Sequence, residues 1–169
     1  MILSCINELR KKKIRKQIEQ DLSCFDIKTI LDNGCGDYGS FRYTPNFHII
    51  SSDLKKGQDA TNLPYKSKSF DCVVFTGVIQ YISEPHKAIK ECKRVLKKDG
   101  ILIISTMNLK CSLKRLTKWK EECNVWQKDS FIEFVESFGF ELIDWRMIDF
   151  DFIKDKNKMV IYCNFKVKK

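Results

Sequence analysis

Three glycines, Gly34, Gly36 and Gly39, form the pattern G-x-G-x-x-G directly after an apolar segment at residues 27–33. Such a turn lets the backbone approach a nucleotide at the carboxyl edge of a parallel sheet. Asp53 follows the next strand-like segment, where a carboxylate can accept hydrogen bonds from two ribose hydroxyls. Glycine turns and strand-end aspartates also occur without ligands, but the two features together indicate an adenosine-containing cofactor.

A nicotinamide-dependent oxidoreductase is the alternative that this pattern leaves open. Dinucleotide sites place the amino end of a sizeable helix against the pyrophosphate. Few residues separate Gly39 from the second strand, and they include Pro45, which disfavours a helix interior. A cofactor without a pyrophosphate group is therefore favoured.

The elements that must position these residues alternate between strands and helices. A basic amphipathic helix is predicted at about 6–22, because Ile14, Ile18 and Leu22 share one face and most of the lysines and arginines lie elsewhere. Its basic face is either a solvated surface or a contact for RNA, membrane or an acidic substrate. Ser83 is predicted to cap a second helix, which has Pro85 near its first turn and ends at residues 97–100.

The remaining segments predict an α/β fold with a mostly parallel sheet. Residues 101–105 are continuously apolar, as a strand buried on both faces should be. Another helix is predicted at 131–138, and a short helix within 108–128 stays open. The strand-like segments are 27–33, 47–52, 70–75, 101–105, 140–147 and 158–165.

Several of these segments resemble the class I S-adenosylmethionine-dependent methyltransferases (methyltransferase type 11-like). The resemblance covers residues 27–108 and extends more loosely through the last two strands. It implies a Rossmann-like three-layer sandwich with a mostly parallel sheet, an antiparallel C-terminal strand and reduced helix content between the second and third strands. The similar segments are LDNGCGDYG at 31–39, DATNLPY at 59–65, SFDCVV at 69–74, VIQYISEP at 78–85 and RVLKKDGIL at 94–102.

The resemblance also implies a role for individual residues toward S-adenosylmethionine. Asp32 and the backbone at Gly34 and Gly36 would hold the methionine end of the cofactor, and Asp53 would bind the ribose. Asp59 and the Ala60 backbone would bracket the adenine. Thr76 and Gly77 would line the space near the sulfonium.

Two departures from the family pattern affect these expectations. The usual helix between the second and third strands is missing, which leaves the third strand vestigial near 57–59 and Asp59 less securely placed. Tyr81 stands where many relatives carry histidine, so a histidine acid or base cannot be carried over. Tyr81 is the weak catalytic candidate, and packing or substrate lining is favoured over proton transfer. His48, His86 and Asp71 are interpreted as structural or exposed residues.

Composition bounds the remaining expectations. The 169 residues suit a single methyltransferase domain, with no transmembrane segment and a cytoplasmic location. The eight cysteines include no C-x-x-C pair, so reduced buried thiols are expected and no metal site. The net charge of +9 and the lysine-rich segments at 10–16 and 110–120 are the features that favour RNA.

We therefore expect S-adenosylmethionine-dependent methyl transfer to a small-molecule or glycan acceptor. Two alternatives remain, an RNA methyltransferase and a non-catalytic cofactor-fold protein that serves as a partner subunit.

Overall fold

The computed structural model describes residues 2–36, 46–110, 124–149 and 160–168. In these residues three α-helices accompany six strands of one sheet. The elements in chain order are α1 (Ile2–Leu22), β1 (Thr29–Asn33), β2 (His48–Ser52), β3 (Phe70–Thr76), α2 (Pro85–Val95), β4 (Leu96–Met107), α3 (Lys128–Glu136), β5 (Phe140–Ile148) and β6 (Val160–Val167).

The sheet has the strand order β2-β1-β3-β4-β6-β5. β1 pairs in parallel with both β2 and β3, and β3 pairs in parallel with β4. β6 runs antiparallel to both of its neighbours, β4 and β5. The predicted mostly parallel sheet with an antiparallel C-terminal strand is confirmed.

Helices cover both faces of the sheet, which explains why the central strands are continuously apolar. Successive strand residues point to opposite faces, so each face needs its own apolar cover. On one face, Ile14, Ile18 and Leu22 of α1 pack with Cys72 and Val74 of β3. On the other face, α2 and α3 pack against the alternate residues of the same strands, and the buried side chains there include Ala88, Ile89, Phe131, Val135, Val73 and Phe75.

A buried carboxylate fastens α1 to the C-terminal strands. Asp21, only 5% exposed, accepts hydrogen bonds through Oδ1 from Gln17 Nε2 (2.9 Å) and Arg146 Nη1 (3.1 Å). Its Oδ2 accepts from the hydroxyl of Tyr162 and from Asn164 Nδ2, both at 2.8 Å. Burial raises the pKa of Tyr162, so its hydroxyl stays a donor. Four donors compensate for burying this charge.

No α-helix in the described residues is long and apolar enough to cross a membrane.

The boundaries of α2 differ from the sequence expectation at both ends. Ser83 does not cap the helix: Pro85 is its first residue, which leaves Glu84 at the capping position without a side-chain cap bond. Proline favours the first helical position because its φ is already helical. The helix ends at Val95, and β4 begins at Leu96, where it pairs with Phe70 before a register shift. Residues 97–100 therefore belong to β4 rather than to the end of the helix.

The connection from β2 to β3 contains little regular secondary structure, as expected. Residues 53–69 contain one 3₁₀ helix, Leu54–Lys56, and no strand at 57–59. Within the described residues β2 is therefore an edge strand. Gly39, Pro45 and most of the ambiguous 108–128 segment lie outside the described residues.

The cysteines whose side chains the structure describes are free thiols, as predicted. Cys35, Cys72, Cys92 and Cys163 are buried and Cys24 is exposed. Burial raises the pKa of Cys92 and of Cys163 to about 12 each, so both stay protonated at neutral pH. They are core side chains rather than nucleophiles.

Asp71 is a structural residue at the start of β3, as interpreted from the sequence. Its Oδ1 accepts from Lys97 Nζ at 2.7 Å, and its Oδ2 accepts from the Lys28 amide and from the amide and hydroxyl of Thr29. Burial alone would raise the pKa of Asp71, but these hydrogen bonds outweigh it and lower the pKa to about 2. The ionised carboxylate thus ties the start of β1 to β3 and β4.

This depressed pKa predicts a pH-dependent contribution to stability. The contribution is present above the unfolded pKa of about 3.9 and is lost as pH falls toward the folded value. We expect Asp71→Asn to destabilise the protein at pH 7, and the difference in unfolding free energy from wild type to shrink between about pH 5 and pH 2. Urea unfolding across this range measures it, with the exposed Glu8→Gln as control. A difference that stays constant with pH contradicts the assignment.

Candidate functional site

The carboxyl ends of four parallel strands form one edge of the sheet, called here the carboxyl edge. Asn33 at the end of β1 is in register with Ser52 of β2, and Thr76 of β3 is in register with Ser105 of β4. The strand order reverses around β1, because β2 lies on one side and β3 on the other. In open α/β sheets a ligand-binding crevice forms at such a reversal point.

The glycine turn after β1 is held against the end of β2. The amides of Gly34 and Cys35 both donate to the Ser52 carbonyl, at 2.7 and 3.1 Å. The amide of Gly36 donates to Asp53 Oδ2 at 2.8 Å. The two features that the sequence linked only by pattern are therefore in direct contact.

Gly34 and Gly36 both have a left-handed backbone conformation, but the packing around them differs. Their φ angles are +78° and +61°, a region that residues with a Cβ rarely adopt. A Cβ on Gly34 would collide with the Val78 side chain, so this glycine allows close packing between the turn and the segment after β3. Among the residues that the structure describes, none has an atom within 4 Å of a Cβ placed on Gly36. The described residues thus leave the space beside Gly36 open, as a ligand cradle requires.

Asp53 organises the backbone on both sides of itself. Besides Gly36, its carboxylate accepts from the Lys55 amide through Oδ1 at 3.0 Å, which caps the 3₁₀ helix Leu54–Lys56. A carboxylate has about four lone-pair directions, so these two amides leave acceptor capacity for other hydroxyl donors. The residue is half-buried beside the turn rather than fully solvated.

Asp32 and Cys35 bring negative charge and a neutral thiol to the base of the turn. Asp32 is only 1% exposed at the end of β1. Burial raises the pKa of Cys35, the charge of Asp32 raises it further, and Lys56 Nζ, 3.5 Å from the sulfur, opposes the shift. Cys35 is therefore a protonated thiol at neutral pH.

The segment with Asp59 and Ala60 forms a turn between β2 and β3 in the chain. The Asp59 carboxylate accepts from the Thr61 amide at 2.8 Å, and its carbonyl accepts from Asn62 at 3.0 Å. Asp59 is exposed, whereas Ala60 packs against the core. The Asp59 side chain is thus engaged in its own turn and still reaches the surface.

A residue pair that sequence reasoning missed fastens the same segment to α2. Arg94 donates to the carbonyls of Tyr65 and Leu63 at 2.7 and 2.9 Å, and Glu91 accepts from the Leu63 amide at 2.8 Å. Arg94 also binds Glu91 through two nitrogens, both at 2.7 Å, which lowers the pKa of Glu91. The i,i+3 spacing of the two residues was the signal available, but such pairs commonly lie on solvated helix faces.

The segment after β3 continues the carboxyl edge. The Gly77 amide donates to the Ser105 carbonyl at 3.1 Å, and the Gly77 carbonyl accepts from Gln80 Nε2 at 3.1 Å. Gly77 has a φ of +70°, and no atom of the described part of the chain lies within 4 Å of the position where a Cβ would stand. Thr76 therefore ends β3 beside an open position.

The aromatic and imidazole candidates are spread apart. Tyr81 ends the 3₁₀ helix Ile79–Tyr81 and is 44% exposed. His48 is the first residue of β2 and so lies at the opposite edge of the sheet from the glycine turn. His86 is exposed in the first turn of α2. Among the described residues, no three of the His, Cys, Asp and Glu side chains form a group that could hold a metal ion.

Comparison with known sequences identifies related proteins. The pattern of a methyltransferase domain family matches residues 50–104. A demethylmenaquinone methyltransferase of Thermotoga maritima is 30% identical over 125 residues, which cover 62% of this chain and 54% of that protein. The chain spans about half the length of the curated relatives it matches.

Solved structures share the architecture at low sequence identity. An S-adenosylmethionine-dependent methyltransferase from Clostridium acetobutylicum superposes with a TM-score of 0.69 at 14% identity, covering 94% of this chain and 92% of that one. A Haloferax volcanii protein in a complex between the Trm112 methyltransferase activator and a methyltransferase has a TM-score of 0.63 at 13% identity, covering 95% and 94%. The predicted Rossmann-like fold is confirmed.

The contact between Gly34 and Val78 predicts a specific steric cost. We expect Gly34→Ala to destabilise the protein by about 1–3 kcal/mol more than Gly57→Ala, because overpacking adds to the left-handed strain that both share. Gly57 is a matched control, with a φ of +73° and open space at its Cβ position. Urea unfolding measures both losses, and Val78→Ala should restore part of the Gly34→Ala loss. Equal losses for the two alanine variants would contradict the packing account.

Proposed function

We propose that this chain transfers a methyl group from S-adenosylmethionine to a small-molecule or glycan acceptor, because a methyltransferase domain family matches residues 50–104 and a solved S-adenosylmethionine-dependent methyltransferase shares the fold. The observation that carries the proposal is the contact between Gly36 and Asp53. It places a carboxylate and an open glycine backbone side by side at the reversal point of the sheet.

The residues at the carboxyl edge fit the parts of this cofactor. The open position at Gly36 supports placing the methionine end there, together with Gly34 and Asp32. The spare acceptor capacity of Asp53 suits two ribose hydroxyls. Asp59 and Ala60 are proposed for the adenine, and Thr76 and Gly77 for the neighbourhood of the sulfonium. The Arg94–Glu91 pair would position the adenine side by holding residues 63–65.

Methyl transfer from S-adenosylmethionine requires little catalytic chemistry from the protein beyond binding and orienting the reactants. S-adenosylmethionine supplies a methyl group that its sulfonium already activates. The chain must hold the cofactor, bring the acceptor atom in line and exclude water. Tyr81 is the weak candidate for a general base if the acceptor is a hydroxyl, but its exposure better supports contact with the acceptor. His48 lies at the wrong edge of the sheet for either role.

A second candidate function, RNA methylation, is favoured by charge alone. The net charge is +9, and Lys11, Lys12 and Lys16 are exposed on α1. Transfer of label from S-adenosylmethionine into the RNA of a fractionated extract would support this candidate. Label in the small-molecule or glycan fraction supports the first. The free thiols of the described cysteines support a reducing, cytoplasmic setting for either.

A non-catalytic partner subunit remains the third candidate. The Haloferax volcanii neighbour is described as bound to a methyltransferase activator, so a protein of this fold can work within a complex. A subunit that only uses the fold as a scaffold would not need to bind the cofactor. Cofactor binding therefore separates this candidate from the first two.

We expect S-adenosylmethionine and S-adenosylhomocysteine to raise the melting temperature, whereas NAD does not. A ligand at 100 times its Kd stabilises the folded state by about 2.7 kcal/mol. Gly36→Val should abolish the shift because a side chain would fill the open position, and circular dichroism must first show a native fold. Gly57→Val is the control. Gly57 also has a left-handed φ and, among the described residues, open space at its Cβ position, so this variant should keep the shift in melting temperature. A larger shift with NAD contradicts the cofactor, and no shift with any ligand supports the partner subunit.

A further inference from the structure

Three segments meet at the carboxyl edge and are called here the mouth: residues 76–83, which begin with Thr76 and Gly77 at the end of β3, residues 105–109 at the end of β4, and residues 124–127 before α3. Hydrogen bonds hold them together. The Asn124 amide donates to the Gln80 carbonyl at 3.1 Å, and the Asn124 side chain donates to the Ile82 carbonyl. The Leu109 amide donates to the Trp126 carbonyl at 2.8 Å.

A buried side chain and an aromatic cluster stabilise the mouth on its buried side. Gln80 is buried, donates to the Gly77 carbonyl and accepts from the Thr106 hydroxyl at 3.5 Å. Trp126 packs on Phe131 and Phe134 of α3, with ring centroids 5.4 and 5.6 Å apart. The segments are therefore fixed to the sheet and to α3.

The mouth is uncharged in a chain that is otherwise rich in charge. Its three segments contain no Asp, Glu, Lys or Arg, although these make up 31% of the chain. Nucleic acids and other polyanions are bound mainly through lysine and arginine, which these segments lack. Within these three segments themselves, no side chain offers an opposite charge that would compensate for the lost hydration of a charged acceptor.

The mouth instead exposes large apolar side chains. Tyr81, Leu109 and Val125 are 44%, 41% and 38% exposed, one on each of the three segments. Single exposed apolar residues are ordinary, but three of them on segments that hydrogen bonds hold together at the carboxyl edge are typical of a binding surface. Small-molecule sites are mostly apolar, with a few polar groups that fix orientation.

We propose that the mouth binds the apolar part of the methyl acceptor, and that the acceptor is an uncharged hydrophobic small molecule, bearing a ring or a hydrocarbon chain. The proposal rests on the proposed function and narrows it, because it disfavours both a glycan and RNA. Tyr81, Leu109 and Val125 contact the acceptor beside Thr76 and Gly77, where the methyl group would be delivered.

The test measures binding of 4-octylcatechol, a neutral probe, and of 3,4-dihydroxybenzoate, its charged counterpart, to protein saturated with S-adenosylhomocysteine. Equilibrium dialysis should show tighter binding of 4-octylcatechol. Leu109→Asn and Val125→Asn should each raise its Kd about tenfold, since each removes apolar contact area. Ile143→Asn, at a 45% exposed position on β5, is the matched control and should leave the Kd unchanged.

The outcomes separate the proposal from the function on which it rests. Binding of S-adenosylhomocysteine, measured by calorimetry, should be the same in wild type and in all three variants. If the wild type binds it but holds 3,4-dihydroxybenzoate as tightly as 4-octylcatechol, or if Ile143→Asn weakens the probe as much as the mouth variants do, the acceptor proposal is overturned and the methyltransferase function stands. A wild type that does not bind S-adenosylhomocysteine overturns both.

Discussion

Parallel pairing of β1 with a strand on each side is the constraint on which the site depends. Because β2 and β3 both run parallel to β1, the residues that follow all three strands emerge at one edge. The register of Asn33 with Ser52 then lets the Ser52 carbonyl accept the first two amides of the glycine turn. That contact brings Gly36 within hydrogen-bonding distance of Asp53. A one-residue slip in this register would separate the pair.

Three carboxylate-centred hydrogen-bond networks join the sheet to its helices and its strands to one another. Asp71 fixes the start of β1 to β3 and β4, and Asp21 fixes α1 to β5 and β6. The Glu91–Arg94 pair fixes the segment at 63–65 to α2. Each network centres on a carboxylate that accepts several hydrogen bonds, so none leaves an uncompensated charge. The strands and helices that carry the candidate site are thereby held in fixed positions relative to one another.

The sequence predicted the parts of the site that depend on short-range pattern. The G-x-G-x-x-G turn and Asp53 each follow an apolar strand, so their shared edge follows from parallel topology. The Asp21 network gave no such signal, because Tyr162 and Asn164 are far away in sequence and polar strand residues have many uses. The prediction that Ser83 caps α2 was wrong, because the helix begins at Pro85 and its capping position therefore falls on Glu84. The proposed acceptor surface gave no sequence signal either, since exposed apolar residues acquire meaning only when the fold brings their segments together.

The most direct test of the central claim is the amide NMR spectrum of the protein during titration with S-adenosylhomocysteine. Gly34, Gly36 and Gly77 lie at the carboxyl edge, whereas Gly100 and Gly139 lie at the opposite edge, before the apolar cores of β4 and β5. The account predicts saturable shifts at the first three amides with little change at the other two. Saturable shifts confined to Gly100 and Gly139, or no saturable shift at any of the five, would contradict it.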